Sequence, residues 1–489
     1  MTTTPPARTA RRDLAAFVKA YDVRGLVGEQ LDDEVARALG AALAEEVAGP
    51  ADGPVDGAAG ATRVVVGHDM RPSSPGLAAA FAAGVASRGL DVVLAGLVST
   101  DALYYASGAL DAPGAMFTAS HNPAAYNGIK MCRAGARPIG QDTGLVRIRD
   151  RAQALLDAGT PGPDAPRPGT VTQHEVVTGY ASYLRGLVDL SGARRLRVVV
   201  DAGNGMAGLT TPAVLGTAAG LPALPLDVVP LYFELDGTFP NHEANPLEPA
   251  NLRDLQAAVV AEGADLGLAF DGDADRCFVV DERGAAVSPS AVTALVARRE
   301  IAKELAAGRP ATVIHNLITS RAVPEAIAEA GGTAVRTRVG HSFIKAEMAR
   351  VQAVFGGEHS AHYYFRDFWF ADTGMLAALH VLAALGEQDG PLSALMAGEE
   401  RYVASGEINS PVADVAGATA RVEAVFGQRP GVEVDRLDGL TVVHASAPMW
   451  WFNLRPSNTE PLLRLNAEAV DASTMGALRD EVLALVRAD

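Results

Sequence analysis

The sequence predicts an α/β protein made of three similar units in series, followed by a smaller α+β domain. Two observations predict it. β-Branched runs at 63–66 (RVVV), 197–200 (RVVV) and 312–314 (TVI) each lead into a turn-rich segment and then an alanine-rich helical pattern, the alternation expected of α/β units. After about Tyr402 the pattern changes to shorter mixed elements. At 489 residues the chain also exceeds what one hydrophobic core organises, which suits roughly three or four domains.

The clearest linker lies at 157–170 (DAGTPGPDAPRPGT), where prolines and glycines oppose regular structure. A Gly/Ala/Pro stretch at 49–62 reads as a surface loop inside the first unit. Forty-one basic and 58 acidic residues give a net charge of −17. That balance argues against nucleic acid or an anionic membrane as the main partner, and any phosphate site must gather its cations locally. Only four residues are lysine, and Lys19, Lys130 and Lys345 fall in or beside the motifs below. Two cysteines, Cys132 and Cys277, suggest neither a disulfide framework nor a zinc site. The N-terminal segment lacks the apolar run of a signal peptide, and no apolar stretch is long enough to span a membrane. The expectation is a cytoplasmic protein.

Two motifs point in misleading directions. Residues 203–208 (GNGMAG) follow a strand and match G-x-G-x-x-G, with Asp227 about twenty residues on. By pattern this is a dinucleotide fingerprint and raises an NAD(P)-dependent oxidoreductase as an alternative. Asp201, however, would set a carboxylate beside the pyrophosphate, so a tight strand-to-helix turn fits better. Residues 271–282 (DGDADRCFVVDE) place acids at EF-hand positions, but Arg276 stands where the turn glycine belongs and the flanks read as strands.

The metal-binding idea outlives the EF-hand. Asp271, Asp273 and Asp275 alternate and would repel one another without a cation among them. Hard oxygen donors of this kind suit Mg²⁺, and Arg276 stands ready for a phosphate on the same metal. In 118–123 (TASHNP), Ser120 sits between small residues and an Asn-Pro turn, without a G-x-S-x-G frame. Residues 127–130 (NGIK) return the chain into a strand carrying Lys130. A serine facing Mg²⁺ and a lysine is a plausible phosphoryl carrier. Residues 340–345 (GHSFIK) and 357–362 (GEHSAH) lie close in sequence. In the second, Glu358, Ser360 and His362 alternate and would present one face to a polyol, and His341 and His362 are candidate proton shuttles. Residues 454–461 (LRPSNTEP) gather Arg455, Ser457, Asn458 and Thr459, the donors that a phosphate dianion needs. Residues 19–25 (KAYDVRG) add Tyr21 and Arg24 as phosphate neighbours. No Gly-Lys dipeptide occurs, which excludes a Walker A site.

KAYDVRG, TASHNP, DGDADR, GEHSAH and RPSNTEP, in this order, resemble the α-D-phosphohexomutase superfamily over nearly the whole chain. The stretches FPNHEANPLEPANL and GEHSAHYYF look most like bacterial phosphomannomutases and phosphoglucomutases. The resemblance implies four domains around a central cleft: three related α/β units with mixed sheets and a smaller α+β C-terminal domain. The expected boundaries are 1–172, 173–289, 290–402 and 403–489. It implies an isomerase that interconverts mannose 1-phosphate and mannose 6-phosphate, with glucose phosphates as further substrates. Phosphoglucomutase and phosphoglucosamine mutase activities are the alternatives. Ser120 would carry the phosphoryl group, with Mg²⁺ held by Asp271, Asp273, Asp275 and a phosphoserine oxygen. A hexose 1,6-bisphosphate would be intermediate and activator. Lys130, His341 and His362 would be candidates for proton transfer, and Arg24 and Arg276 would stabilise the charge in transit. Tyr21, His121, Gly340, Glu358, Ser360, Arg455, Ser457, Asn458 and Thr459 complete the expected substrate contacts. The chain is expected as a monomer or homodimer. One departure, Ala361 where many relatives have glycine before the last histidine of the sugar motif, bears on sugar preference.

Overall fold

The computed structural model describes residues 13–49, 60–159, 164–456 and 462–488. It divides into two compact units, Met1–Ala285 with Asp367–Gln388, and Ala286–Arg366 with Asp389–Asp489.

The first unit holds two sheets. Its first sheet is built from β1 (Val23–Leu26), β2 (Arg63–His68), β3 (Asp91–Leu97), β4 (Gly114–Phe117), β5 (Tyr126–Arg133) and β6 (Val171–Gln173), in the order β1-β5-β4-β2-β3-β6. Strands β4, β2, β3 and β6 run parallel; β5 returns antiparallel beside β4, and β1 pairs antiparallel with β5 and so runs with the parallel set. The valines of RVVV are buried because helices cover the sheet, so the strand reads as a continuous apolar run and not as an alternation. Helices α1 (Asp33–Ala48) and α2 (Ser74–Ser87) pack face to face through reciprocal glycines. A Cβ on Gly40 would strike the Phe81 carbonyl, and one on Gly84 would strike the Arg37 carbonyl. Helix α3 (Thr100–Ala109) follows β3, capped by the Ser99 side chain.

The second sheet follows α4 (Val177–Leu187). Strand β7 (Leu196–Asp201) leads through the glycine turn into α5 (Ala207–Val214), and β8 (Leu226–Leu231) and β9 (Leu266–Phe270) lie parallel on either side of it. Strand β10 (Cys277–Asp281) returns antiparallel, with Phe270 opposite Cys277.

The second unit repeats the plan. Helix α6 (Pro289–Ala306) precedes β11 (Thr312–Asn316), which lies parallel to β12 (Thr333–Thr337) and β13 (Phe355–Gly357). Helix α7 (His341–Val351) joins the latter two, and β14 (Tyr363–Phe365) returns antiparallel. Helix α8 (Gly374–Gly386), buried along its whole length, belongs to the first unit. The chain ends in an antiparallel sheet of β15 (Val403–Pro411), β16 (Val432–Asp435), β17 (Leu440–His444), β18 (Trp450–Pro456) and β19 (Leu462–Ala469), ordered β15-β19-β18-β17-β16. Phe426 and Phe452 centre its core, with ring centroids 5.0 Å apart in an edge-to-face contact.

In each of the first three sheets, the turn from the last parallel strand into the antiparallel return carries one of the sequence motifs: 118–125 after β4, 271–276 after β9, and 358–362 after β13.

Because backbone carbonyls cannot yield as a side chain can, Gly84→Ala is expected to push α1 and α2 apart and cost about 1–3 kcal/mol. Thermal unfolding followed by circular dichroism should show an earlier onset than in the wild type.

Candidate active site

Ser120 lies in the β4–β5 turn with φ +50°, a left-handed conformation that a non-glycine residue adopts only when its surroundings impose it. The imposing group is Arg71, a fully buried arginine in the turn after β2. Its guanidinium donates to the carbonyls of Ser120 (3.0 Å), Asn122 (2.6 Å), Pro123 (3.0 Å) and Tyr126 (3.0 Å). Asp69, itself buried and holding Ser74 Oγ at 2.6 Å, balances that charge at 3.3 Å. The Ser120 amide donates to Thr118 Oγ1 at 2.9 Å, which completes the turn.

Against this turn sits the loop 271–276. Ser120 Oγ donates to Asp271 Oδ2 at 2.8 Å and lies 3.1 Å from His121 Nδ1. The close approach depends on Gly272, since a Cβ there would collide with the Ser120 carbonyl. The loop is also pinned from its own sheet: the Met206 amide donates to the Gly272 carbonyl at 2.9 Å, and a Cβ on Gly205 would lie 2.7 Å from it. Gly205 therefore serves packing against the acidic loop and Gly208 packing against the Phe233 carbonyl, and the Met206 amide at the start of α5, a donor that a pyrophosphate would need, is already taken by Gly272. His242 Nε2, 3.0 Å from Asp201 Oδ2, ties the turn down further, and that bond holds the imidazole pKa up against burial.

The three carboxylates are fully buried, and their oxygens lie within 4.8 Å of one another. Asp273 Oδ2 accepts from Lys130 Nζ (2.7 Å) and Thr100 Oγ1 (2.6 Å), while Asp275 Oδ2 accepts from Lys130 Nζ at 2.5 Å. Arg276 folds back on its own loop, donating through Nε to Asp271 Oδ2 at 2.9 Å and through Nη2 to His121 Nδ1 at 2.7 Å. Burial pushes the Asp271 carboxyl up, to about 6, with Asp275 and Asp273 adding to it and Arg276 opposing. Burial and Asp275 push Asp273 the same way, but the Lys130 ammonium and its hydrogen bonds outweigh them and hold it below the usual range. The two carboxylates beside Lys130 outweigh its own burial and hold its pKa well above that of a free lysine. Burial, then Arg276 and Arg24, drives the His121 imidazole down to about 2, so it stays neutral. Arg24, on β1, donates to Asp22 Oδ2 at 2.8 Å and to Asn122 Oδ1. Tyr21 lies half-buried in the turn just before it.

Three carboxylates thus face two directly bonded cations, and buried Asp273 Oδ1 has no hydrogen-bond partner among the described residues. This donor set fits a hard divalent cation.

In the second unit, Glu358 is buried on β13's turn. It accepts from Asn316 Nδ2 (3.1 Å), the Gly340 amide (3.3 Å) and Tyr364 Oη (2.6 Å). The segment carrying Glu358, Ser360 and His362 is a turn and not an extended run. Ala361 adopts φ +66° and its amide donates back to the Glu358 carbonyl at 3.1 Å, so the segment is a tight turn. The three side chains still meet: Ser360 Oγ and His362 Nδ1 pair at 3.1 Å, and His362 Nδ1 lies 3.7 Å from Glu358 Oε2. Gly340, at φ +128°, begins α7, whose first residue is His341. Lys345, further along α7, lies 5.8 Å from the Tyr364 ring. Arg455, on β18, has Glu407 at 3.7 Å and Asp438 at 3.9 Å, and its Nε has no hydrogen-bond partner among the described residues. Ser457, Asn458 and Thr459 lie outside the described residues.

The first unit therefore brings Ser120, His121, Lys130, Asp271, Asp273, Asp275 and Arg276 together, with Arg24 beside them. Sequence reasoning missed Arg71, Asp69, Thr100 and Asn316. A strand-end D-x-R, present here as Asp69 and Arg71, was the one visible signal of a clamp.

Family models cover the chain in four consecutive segments. Phosphoglucomutase/phosphomannomutase α/β/α domains I, II and III match residues 16–156, 178–284 and 288–402, and the C-terminal domain of the same family matches 407–485. The chain belongs to this family. Its members are isomerases that work by intramolecular phosphoryl transfer. A protein of Xanthomonas campestris pv. campestris named for phosphohexose mutases is 41% identical, over 97% of this chain and 99% of that protein. A phosphomannomutase of Salmonella montevideo is 39% identical over 96% of this chain and 98% of its own. Among solved structures, a phosphoglucomutase/phosphomannomutase family protein from Burkholderia thailandensis superposes with a TM-score of 0.82 at 31% identity, covering 96% of this chain and 98% of the other.

Gly272→Ala is expected to leave the fold intact but to separate the acidic loop from Ser120. A displacement of about 1 Å at a reacting centre costs on the order of 10²-fold in rate. Phosphohexomutase turnover, measured below the variant's own melting transition, checks it.

Proposed function

We propose that the protein interconverts mannose 1-phosphate and mannose 6-phosphate, with glucose phosphates as a second substrate pair, by relaying a phosphoryl group through Ser120. The observation that carries this is the Ser120 hydroxyl set 2.8 Å from Asp271, inside a cluster of three buried carboxylates. The phosphomannomutase relatives, at 39% identity over nearly the full length, support mannose as the sugar.

In this reading Asp271, Asp273 and Asp275, with an oxygen of phosphorylated Ser120, hold Mg²⁺, which supplies neutralisation of the charge in transit. Phosphoserine gives its group to one end of the sugar phosphate and makes a hexose 1,6-bisphosphate. The bisphosphate turns over and returns its other phosphate to Ser120. Phosphoryl transfer of this kind is largely positioning and electrostatics. Arg276 and Arg24 stabilise the transferring group. Tyr21 and His121 are its neighbours; His121 is neutral and offers hydrogen bonding, not charge. Lys130, held fully charged, serves as a proton donor or electrostatic anchor, with His341 and His362 as the other candidates for proton transfer. Glu358 and Ser360, with Gly340, grip sugar hydroxyls. Arg455, Ser457, Asn458 and Thr459 hold the phosphate that does not react. The spans of the matching family domains support boundaries near 172, 289 and 402. We further assign a cytoplasmic location and a monomer or homodimer. Among the described residues no helix is long and apolar enough to cross a membrane.

Ser120→Ala should lower kcat by on the order of 10³-fold or more while leaving the melting temperature within about 2 °C of wild type, because the change removes the carrier and not packing. Conversion of mannose 1-phosphate, coupled to a mannose 6-phosphate dehydrogenase readout, measures it. Unimpaired turnover by the variant would sink the proposal. Comparing kcat/KM for mannose, glucose and glucosamine phosphates separates this activity from its phosphoglucomutase and phosphoglucosamine mutase alternatives.

Removing metal with EDTA should abolish turnover, and Mg²⁺ should restore it. A trace of glucose or mannose 1,6-bisphosphate should shorten the lag of dephosphorylated enzyme. Steady-state assays before and after chelation give both answers.

A further inference from the structure

Asp101 is fully buried in the first turn of α3, and among the described residues every partner that bonds its carboxylate is a hydroxyl. Ser99 Oγ, Tyr180 Oη (2.5 Å) and Thr373 Oγ1 (2.7 Å) all donate to it. Burial pushes its pKa up to about 7 against those three bonds. The three hydroxyls come from three separate elements. Ser99 is the cap of α3, where its side chain accepts from the Ala102 amide. Thr373 is the cap of α8, where its side chain accepts from the Leu376 amide. Tyr180 lies in α4. One carboxylate therefore fixes the starting points of two helices.

Both helix starts touch the acidic loop. Thr100, next to Asp101, donates its side chain to Asp273 Oδ2 at 2.6 Å and its amide to the Asp273 carbonyl at 3.1 Å. Gly374, the first residue of α8, lies flat on the loop's exit, where a Cβ would come within 2.6 Å of the Arg276 backbone.

We infer that Asp101 and Thr100 are positioning residues for the metal-binding loop: Asp101 clamps the caps of α3 and α8 against it, and Thr100 thereby fixes the direction in which Asp273 presents its unbonded oxygen. This rests on the assignment of the acidic loop to Mg²⁺. Both residues are fully buried, out of reach of a ligand in solution, so their effect falls on the cation and not on sugar binding. Thr100→Val is nearly isosteric and leaves the clamp intact while removing the hydroxyl bond to Asp273. Asp101→Asn keeps the shape but turns one acceptor into an amide N–H donor facing hydroxyls that have their protons turned toward it.

The test is equilibrium Mn²⁺ binding to sugar-free enzyme, followed by electron paramagnetic resonance, for wild type, Thr100→Val, Thr100→Ser and Asp101→Asn. The expected result is a Kd raised about tenfold or more by Thr100→Val and Asp101→Asn. Thr100→Ser should bind as wild type does, and KM for the sugar phosphate should change less than twofold in all three variants. If wild type binds Mn²⁺ and Thr100→Val binds it equally well, the inference is overturned, even if Asp101→Asn melts earlier. If wild type itself binds no Mn²⁺, the metal assignment fails and carries this inference with it.

Discussion

Three carboxylates buried on one six-residue turn repel each other, and removing charges from water adds a cost of several kcal/mol per ion. The loop 271–276 can hold that arrangement only because its neighbours supply cations and donors. Lys130 bridges Asp273 and Asp275, Arg276 turns back onto Asp271, and Thr100 bonds Asp273. Arg276 belongs to the loop itself, whereas Lys130 and Thr100 come from β5 and α3, so their bonds form only where the two sheets of the first unit pack. The same packing brings the bare backbone of Gly272 against the Ser120 carbonyl. Carrier and acidic loop are therefore built as one object: what relieves the charge of the carboxylates is also what aims them at the serine.

The fold puts this chemistry at a repeated topological position. In the first three sheets the functional loop leaves the carboxyl end of the last parallel strand and returns antiparallel. Parallel strands direct their ends to one edge of a sheet, and ligand sites of open α/β sheets collect there. Ser120, the acidic triad and Glu358 occupy equivalent turns in successive sheets. The C-terminal sheet is antiparallel throughout, and Arg455 stands at the end of one of its strands instead.

Local sequence pattern carried the strands well. The runs at 63–66, 197–200 and 312–314 lie within observed strands, and the flanks of DGDADR pair as a hairpin. It also carried the residue types of the site, because a triad of aspartates two apart has few uses. What it could not carry was anything fixed by distant contacts. Arg71 reads as an ordinary turn residue until four carbonyls are found around its guanidinium. Asp101 reads as a helix-start acid until Tyr180 and Thr373 arrive from 79 and 272 residues away. In GEHSAH a left-handed Ala361 turns the backbone where an extended run was expected, yet Glu358, Ser360 and His362 still converge. The glycine fingerprint misled because close backbone packing and pyrophosphate binding ask for the same residue.

The proposed activity turns on Ser120 as the phosphoryl carrier. Incubating the purified protein with hexose 1,6-bisphosphate and Mg²⁺, then measuring intact mass and mapping phosphopeptides, tests this without an activity assay. The expected result is one phosphoryl group per chain, located on Ser120 and released to added hexose monophosphate. Phosphate on another residue, or none at all, would contradict it.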